Sequence, residues 1–143
     1  MKTILLLLFT IFCSSVISVN AQDIFGKWKT IDDETHRPKS IVEITEKDGM
    51  AYGKIIKLFR EPDEDQDPIC DECTDYRKDK RVLGMTIVTD MVKDGDEWED
   101  GEILDPKNGK IYDCKMWVED GKLMVRGYIA FFFRTQTWLP VEE

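Results

Sequence analysis

The dipeptide Asp-Gly recurs at Asp48-Gly49, Asp94-Gly95 and Asp120-Gly121, each time between runs rich in Ile, Val, Trp, Tyr and Phe. Tight hairpins favour this pair because their two-residue turns need positive φ, which Asp and Gly tolerate. The flanking runs are of strand length and rich in β-branched and aromatic residues. Asp105-Pro106-Lys107-Asn108-Gly109 marks a fourth, longer turn. Reading outward from these turns predicts strands over 26–32, 39–47, 50–58, 83–92, 97–104, 110–118, 122–130 and 133–139. No convincing amphipathic helix interrupts them. Eight sequential antiparallel strands close naturally into an all-β, up-and-down barrel, which leaves no free edge. A β-sandwich is the second arrangement open to such strands.

The turns also fix register. With Asp120-Gly121 as a two-residue turn, Val118 faces Leu123, Met116 faces Val125, Cys114 faces Gly127 and Tyr112 faces Ile129. Side chains alternate across a strand, so this set shares one, interior face, and Lys115 and Arg126 fall outside. The Asp48-Gly49 hairpin likewise places Val42, Ile44, Ala51, Gly53 and Ile55 inside, with Glu43 and Lys54 outside. The turn at 106–109 leaves two options. A four-residue loop pairs Gly101 with Cys114, buries Glu99 and puts Trp98 and Trp117 together on the outside. A bulge at Gly109 reverses that.

The N-terminus has the three parts of a secretory signal: Lys2, the apolar run Ile4–Phe12, and Val19-Asn20-Ala21 at the cleavage point. Cleavage is expected after Ala21, leaving one domain over 22–143. The apolar run is too short to remain as a spanning helix, and no later run is longer, so no membrane insertion is expected. Phe12 before Cys13 is too bulky for a lipoprotein cleavage site. The product is expected to be exported, periplasmic or secreted. The full chain has 143 residues and a formal charge of −9, and loss of Lys2 makes the remainder more acidic still. That balance disfavours nucleic acid and anionic lipid surfaces as partners.

Residues 60–81 form a long acidic loop with Pro62 and Pro68. Asp63-Glu64-Asp65-Gln66-Asp67 has alternate acids, but a calcium loop needs glycine at its sixth position and glutamate at its twelfth. Those positions hold Pro68 and Thr74, so the match fails. Cys70-Asp71-Glu72-Cys73 is read as a disulfide that clips this loop in an oxidising compartment. A redox pair is less favoured, because Asp71 and Glu72 push both thiols away from thiolate. Zinc would need Cys70, Cys73, Cys114 and the lone His36 to converge. Cys114 can also bridge to the loop, although its apolar face suits a buried thiol. His36 and Ser40 lack the third group and oxyanion hole of a hydrolase, and no phosphate loop or dinucleotide fingerprint occurs. No cofactor, metal or catalytic set is expected.

Gly26-x-Trp28 resembles the start of the first strand of lipocalins. The resemblance implies that Gly26 and Trp28 form a plug at one barrel end, with Arg134 the best-placed arginine to cover the indole. Further segments follow in order: Lys39-Ser40-Ile41-Val42-Glu43-Ile44, Tyr52-Gly53-Lys54-Ile55, Cys70-x-x-Cys73, Leu83-Gly84-Met85 and Gly101-x-Ile103-Leu104-Asp105-Pro106. Gly109-Lys110-x-Tyr112-x-Cys114, Arg126-Gly127-Tyr128 and Thr137-Trp138 complete the series. Together they resemble the bacterial exported family called domain of unknown function 2147, across essentially the whole mature chain. That family is regarded as lipocalin-like, which implies a barrel and no established activity. His36 stands in a turn where glycine is expected. The expected ligand is small and mostly apolar, lined by Val42, Ile44, Ile55, Tyr112, Met116 and Val125. The alternative is a filled barrel that acts as a structural or interaction module of the cell envelope.

Overall fold

The computed structural model describes residues 22–142; the expected signal segment lies outside the described residues. Eight strands follow one another around a closed antiparallel barrel. They are β1 (Gly26–Ile31), β2 (Pro38–Lys47), β3 (Met50–Leu58), β4 (Thr86–Asp94), β5 (Glu97–Asp105), β6 (Lys110–Glu119), β7 (Lys122–Ile129) and β8 (Phe132–Pro140). Each strand pairs with its neighbours in sequence, and β8 returns to β1.

The Asp-Gly turns behave as their chemistry requires. Asp48 and Gly49 have φ of 52° and 79°, and Asp120 and Gly121 have 51° and 71°, so both are two-residue turns with positive φ throughout. The registers follow: Glu43 faces Lys54, Ile44 faces Gly53, Val118 faces Leu123 and Met116 faces Val125. The third turn sits one residue later than its Asp-Gly suggests. Asp94 pairs with Glu97, so Gly95 and Asp96 are the turn residues. β4 starts at Thr86 rather than near residue 83. Gly84, at φ 87°, donates its N–H to the Ile55 carbonyl, and Met85 donates to Val82, which makes 82–85 a turn.

The ambiguous turn resolves into neither expected option alone. Gly101 faces Cys114 and Ile103 faces Tyr112, as a four-residue loop requires. The register then shifts between Trp98 and Gly101, so that Trp98 faces Met116. The shift is a bulge at Asp100, whose φ is 62°. One extra residue turns every side chain below it to the other face. Trp98 is therefore buried inside, and Glu99 is outside near Lys115. The expected outer pair of Trp98 with Trp117 does not form.

Part of the core lies outside the barrel wall. Ile87 and Leu104 alternate with the inward residues Val88 and Ile103, yet both are buried. The loop between β3 and β4 packs over them. It is held by the Cys70–Cys73 disulfide, whose Cys70 sulfur lies 3.4 Å from the Pro106 carbonyl oxygen. Gly109 has φ 70°, and a β-carbon there would overlap the Glu72 carbonyl, so the β5–β6 turn seats directly against the loop. Arg77 is buried, donates to both Asp75 carboxylate oxygens and gives a further hydrogen bond to the Thr86 carbonyl at 3.0 Å.

Candidate functional site

The two ends of the barrel differ. At the end that carries the three tight Asp-Gly turns, Trp28, Trp98 and Trp138 all point inward and are buried. The segment before β1 crosses beneath them. Ile24 is buried, Phe25 packs edge-on against Trp98 with centroids 5.4 Å apart, and the Ile24 carbonyl accepts a 2.7 Å hydrogen bond from the Trp28 indole N–H. The Trp98 indole donates to Asp23 at 3.2 Å. Each indole thus satisfies its one polar group while its rings fill the opening. This end is closed.

Arg134 takes no part in that closure, which corrects its expected place over Trp28. On β8 it lies six residues before Pro140, the residue that faces Trp28, and six strand residues span about 20 Å. Arg134 sits at the opposite end, 69% exposed, with Nη2 3.3 Å from Asp33. The N-terminal segment does the job expected of it.

The middle of the barrel is packed. Val42, Ile44, Ile55, Met116 and Val125 are all buried, and a β-carbon on Gly53 would lie 2.9 Å from both Ile44 and Val88. Cys114 is also buried here as a free thiol, and burial pushes its pKa up to about 12. Such a thiol carries no thiolate at neutral pH and is inert. With Cys70 and Cys73 joined to each other, no zinc set exists, and no cluster able to hold a metal occurs among the described residues.

Farther along the inward register burial falls. Ile103, Tyr112 and Gly127 continue the inward register but are only half-buried. They group together: a β-carbon on Gly127 would lie 3.3 Å from Tyr112 and 3.9 Å from Ile103. Thr30 and Ser40, also inward, satisfy one another through a 2.7 Å hydroxyl pair. Of the six expected lining residues, Tyr112 alone is not buried.

The seam between β1 and β8 is joined only near the closed end, by Trp28 facing Pro140 and Lys29 facing Leu139. Beyond it the strands part and leave a cleft of about 340 Å³ lined by Ile31, Asp32, Asp33, His36, Thr135, Gln136, Thr137 and Leu139. Gln136 bridges the gap with a 2.8 Å hydrogen bond to Asp33. The backbone N–H of Thr35 is the main cause holding the Asp32 carboxyl below the usual carboxylate range. His36 adopts φ 59°, the left-handed conformation that explains why glycine suits this turn.

The β7–β8 hairpin forms another part of the rim at this end. Ile129, Phe131, Phe132 and Phe133 are all exposed there. Sequence reasoning read 133–139 as strand and passed over this tip. Its signal was three successive phenylalanines where a turn is expected to be polar.

A closed eight-stranded antiparallel barrel, plugged by tryptophan at one end, defines a lipocalin-like protein. The chain matches, over residues 26–139, the family model described as an uncharacterized protein conserved in bacteria (DUF2147). It belongs to that family. It is similar in structure to a solved Helicobacter pylori protein, HP1028, described as belonging to the lipocalin family. The TM-score is 0.71 at 16% sequence identity, covering 85% of this chain and 84% of that one. No curated protein matches by sequence.

Proposed function

We propose that this is an exported, lipocalin-like barrel that binds a small, mostly apolar ligand at its open end. The observation that carries the reading is the contrast within one inward-facing register. Val125 and Met116 are buried, whereas Ile103, Tyr112 and Ile129 farther along the same face are partly or largely exposed. Apolar groups left wet inside a barrel gain free energy when a ligand covers them, about 25 cal/mol per Å². This moves the expected pocket from the packed middle to the rim. Export rests on the N-terminal signal pattern, and the Cys70–Cys73 disulfide is consistent with it. No helix among the described residues is long and apolar enough to cross a membrane.

Native mass spectrometry of protein taken from its own host tests this reading, with added mass expected on the intact chain. Ile129→Glu puts a charge on the proposed lining at a largely exposed position and is expected to reduce that mass while the barrel stays folded. Bound mass that survives Ile129→Glu unchanged places the ligand elsewhere.

The second reading, a filled barrel acting as an interaction module, draws on the dense packing of Val42, Ile44, Ile55, Met116 and Val125. It is favoured if no host ligand is found.

A further inference from the structure

The β7–β8 hairpin tip carries three phenylalanines that neither ligand binding nor folding requires. Phe131 is 100% exposed, Phe132 76%, Phe133 61% and Ile129 49%. Solvent-exposed apolar residues are ordinary singly, but a contiguous group marks a surface that meets something apolar. Folding does not ask for these residues here. Ile129 faces Phe132, so Ala130 and Phe131 are the turn itself, and Ala130 is held at φ 51°. Glycine or asparagine is the cheap choice at such a position, because a β-carbon crowds the following carbonyl in left-handed backbone. The tip keeps apolar residues against its own local preference.

We propose that this tip docks the protein onto the surface of a lipid bilayer, inserting its aromatic side chains at the interface. Three observations select a bilayer over a protein partner. First, the exposed aromatics lie on both faces of the hairpin. Phe132 shares the inward register of Arg134 and Gln136, whereas Phe133 lies on the outer face against Tyr128, with centroids 6.0 Å apart. Phe131 projects from the turn between them. A flat protein surface meets one face of a hairpin, while an apolar medium surrounds both.

Second, no Asp or Glu occurs from Gly121 to Val141, in a chain that has 29 of them. The hairpin itself therefore carries no carboxylate whose desolvation would oppose entry; Asp113 lies beyond it on β6, facing Tyr128. Arg126 sits behind the tip, 4.6 Å from the Phe133 ring and 4.9 Å from the Trp117 ring. Arg134 is tied to Asp33. Aromatic residues followed by arginines match the order of an interface, apolar layer first and polar layer behind.

Third, the ring order places the acidic β3–β4 loop across the mouth from the β7–β8 hairpin. Its charges are therefore not next to the tip. Because the whole chain is at −9, docking is driven by apolar burial and not by attraction to anionic lipid.

Vesicle co-sedimentation with residues 22–143, which contain the whole barrel and lack the signal segment, tests this. The chain is expected to sediment with phosphatidylcholine vesicles, no better when phosphatidylglycerol is added, and with little loss on raising salt. Phe131→Ser with Phe132→Ser is expected to weaken partitioning on the order of tenfold or more, with Tm unchanged because both rings are exposed. Phe131→Ser alone, at a fully exposed position, should give a smaller loss. The proposal is overturned if the chain does not sediment with phosphatidylcholine vesicles, or if the double variant sediments equally well. It is also overturned if the chain self-associates in solution and the double variant is monomeric, because a second copy then owns the surface. Ligand mass on the intact chain is read separately, so either proposal can fail without the other.

Discussion

Asp90 on β4 and Asp100 on β5 both adopt left-handed backbone, with φ of 56° and 62°, at bulges that offset one another across the strand pair. Val88 faces Ile103 on one side of them and Lys93 faces Trp98 on the other, so the β4–β5 register continues unbroken. Both strands nevertheless reverse their faces at this level. Met91 and Trp98 turn inward, and Asp90 turns out to accept a 2.8 Å hydrogen bond from the Tyr52 hydroxyl. The bulges are what bring Trp98 into the closed end.

This predicts a sharp asymmetry between two neighbours. A β-carbon on Gly101 would overlap the Thr89 carbonyl and crowd the Met91 backbone nitrogen at 2.8 Å. Gly101→Ala should lose about 3 kcal/mol or more, since backbone cannot move aside as a side chain can. Asp100→Gly, which relieves left-handed strain, should change stability by less than about 1 kcal/mol. Urea unfolding of the two variants reads both effects.

The same level of the barrel marks the limit of what the sequence makes legible. Asp48-Gly49 and Asp120-Gly121 sit between clean alternating strands, so turn chemistry and hydrophobic pattern agree and the registers follow. Asp100-Gly101 is a further Asp-Gly pair, but it lies within a strand and makes a bulge, not a turn. Local chemistry does not distinguish the two, because both need an Asp in left-handed backbone. The lining at the open end was hidden for a different reason. Alternation tells inside from outside, but it says nothing of depth, so buried Val125 and half-buried Tyr112 look alike.

Trp28 and Arg134 separate the two ends in stability. Trp28→Ala removes a buried indole and should cost about 3–5 kcal/mol. Arg134→Ala, at an exposed ion pair with Asp33, should change stability by less than about 1 kcal/mol. A similar large loss in both would restore Arg134 to the cover of Trp28.

Asp75 anchors the outer loop through Arg77, whose side chain is buried. Hydrogen bonds from Arg77 hold the Asp75 carboxyl below its usual range. A carboxyl lowered on folding contributes stability fully above its unfolded pKa, about 3.9, and loses that contribution as pH falls through its folded value. Asp75→Asn should therefore cost about 1–2 kcal/mol at neutral pH, discounted for the partial exposure of the carboxylate. The gap to the parent protein should close in acid below that range. A gap independent of pH would remove the ion pair from the account.

The cysteines give a chemical count. In the chain from residue 22, a thiol reagent should find nothing in the native protein, because Cys70 and Cys73 are joined and Cys114 is buried with its pKa pushed up to about 12. Unfolding without reductant should expose one thiol. Cys70→Ser with Cys73→Ser should cost about 2 kcal/mol, the loop-closure value for so short a loop, and leave the β spectrum unchanged.

The central claim is that the barrel is packed in its middle and receptive at its open end. Backbone and methyl NMR shifts during titration with a long-chain fatty acid test it most directly. The account predicts saturable changes at Ile103, Tyr112, Gly127 and Ile129, with Val42, Ile44, Met116 and Val125 still. Saturable changes centred on Val42, Ile44 and Met116, with the rim unmoved, would contradict it.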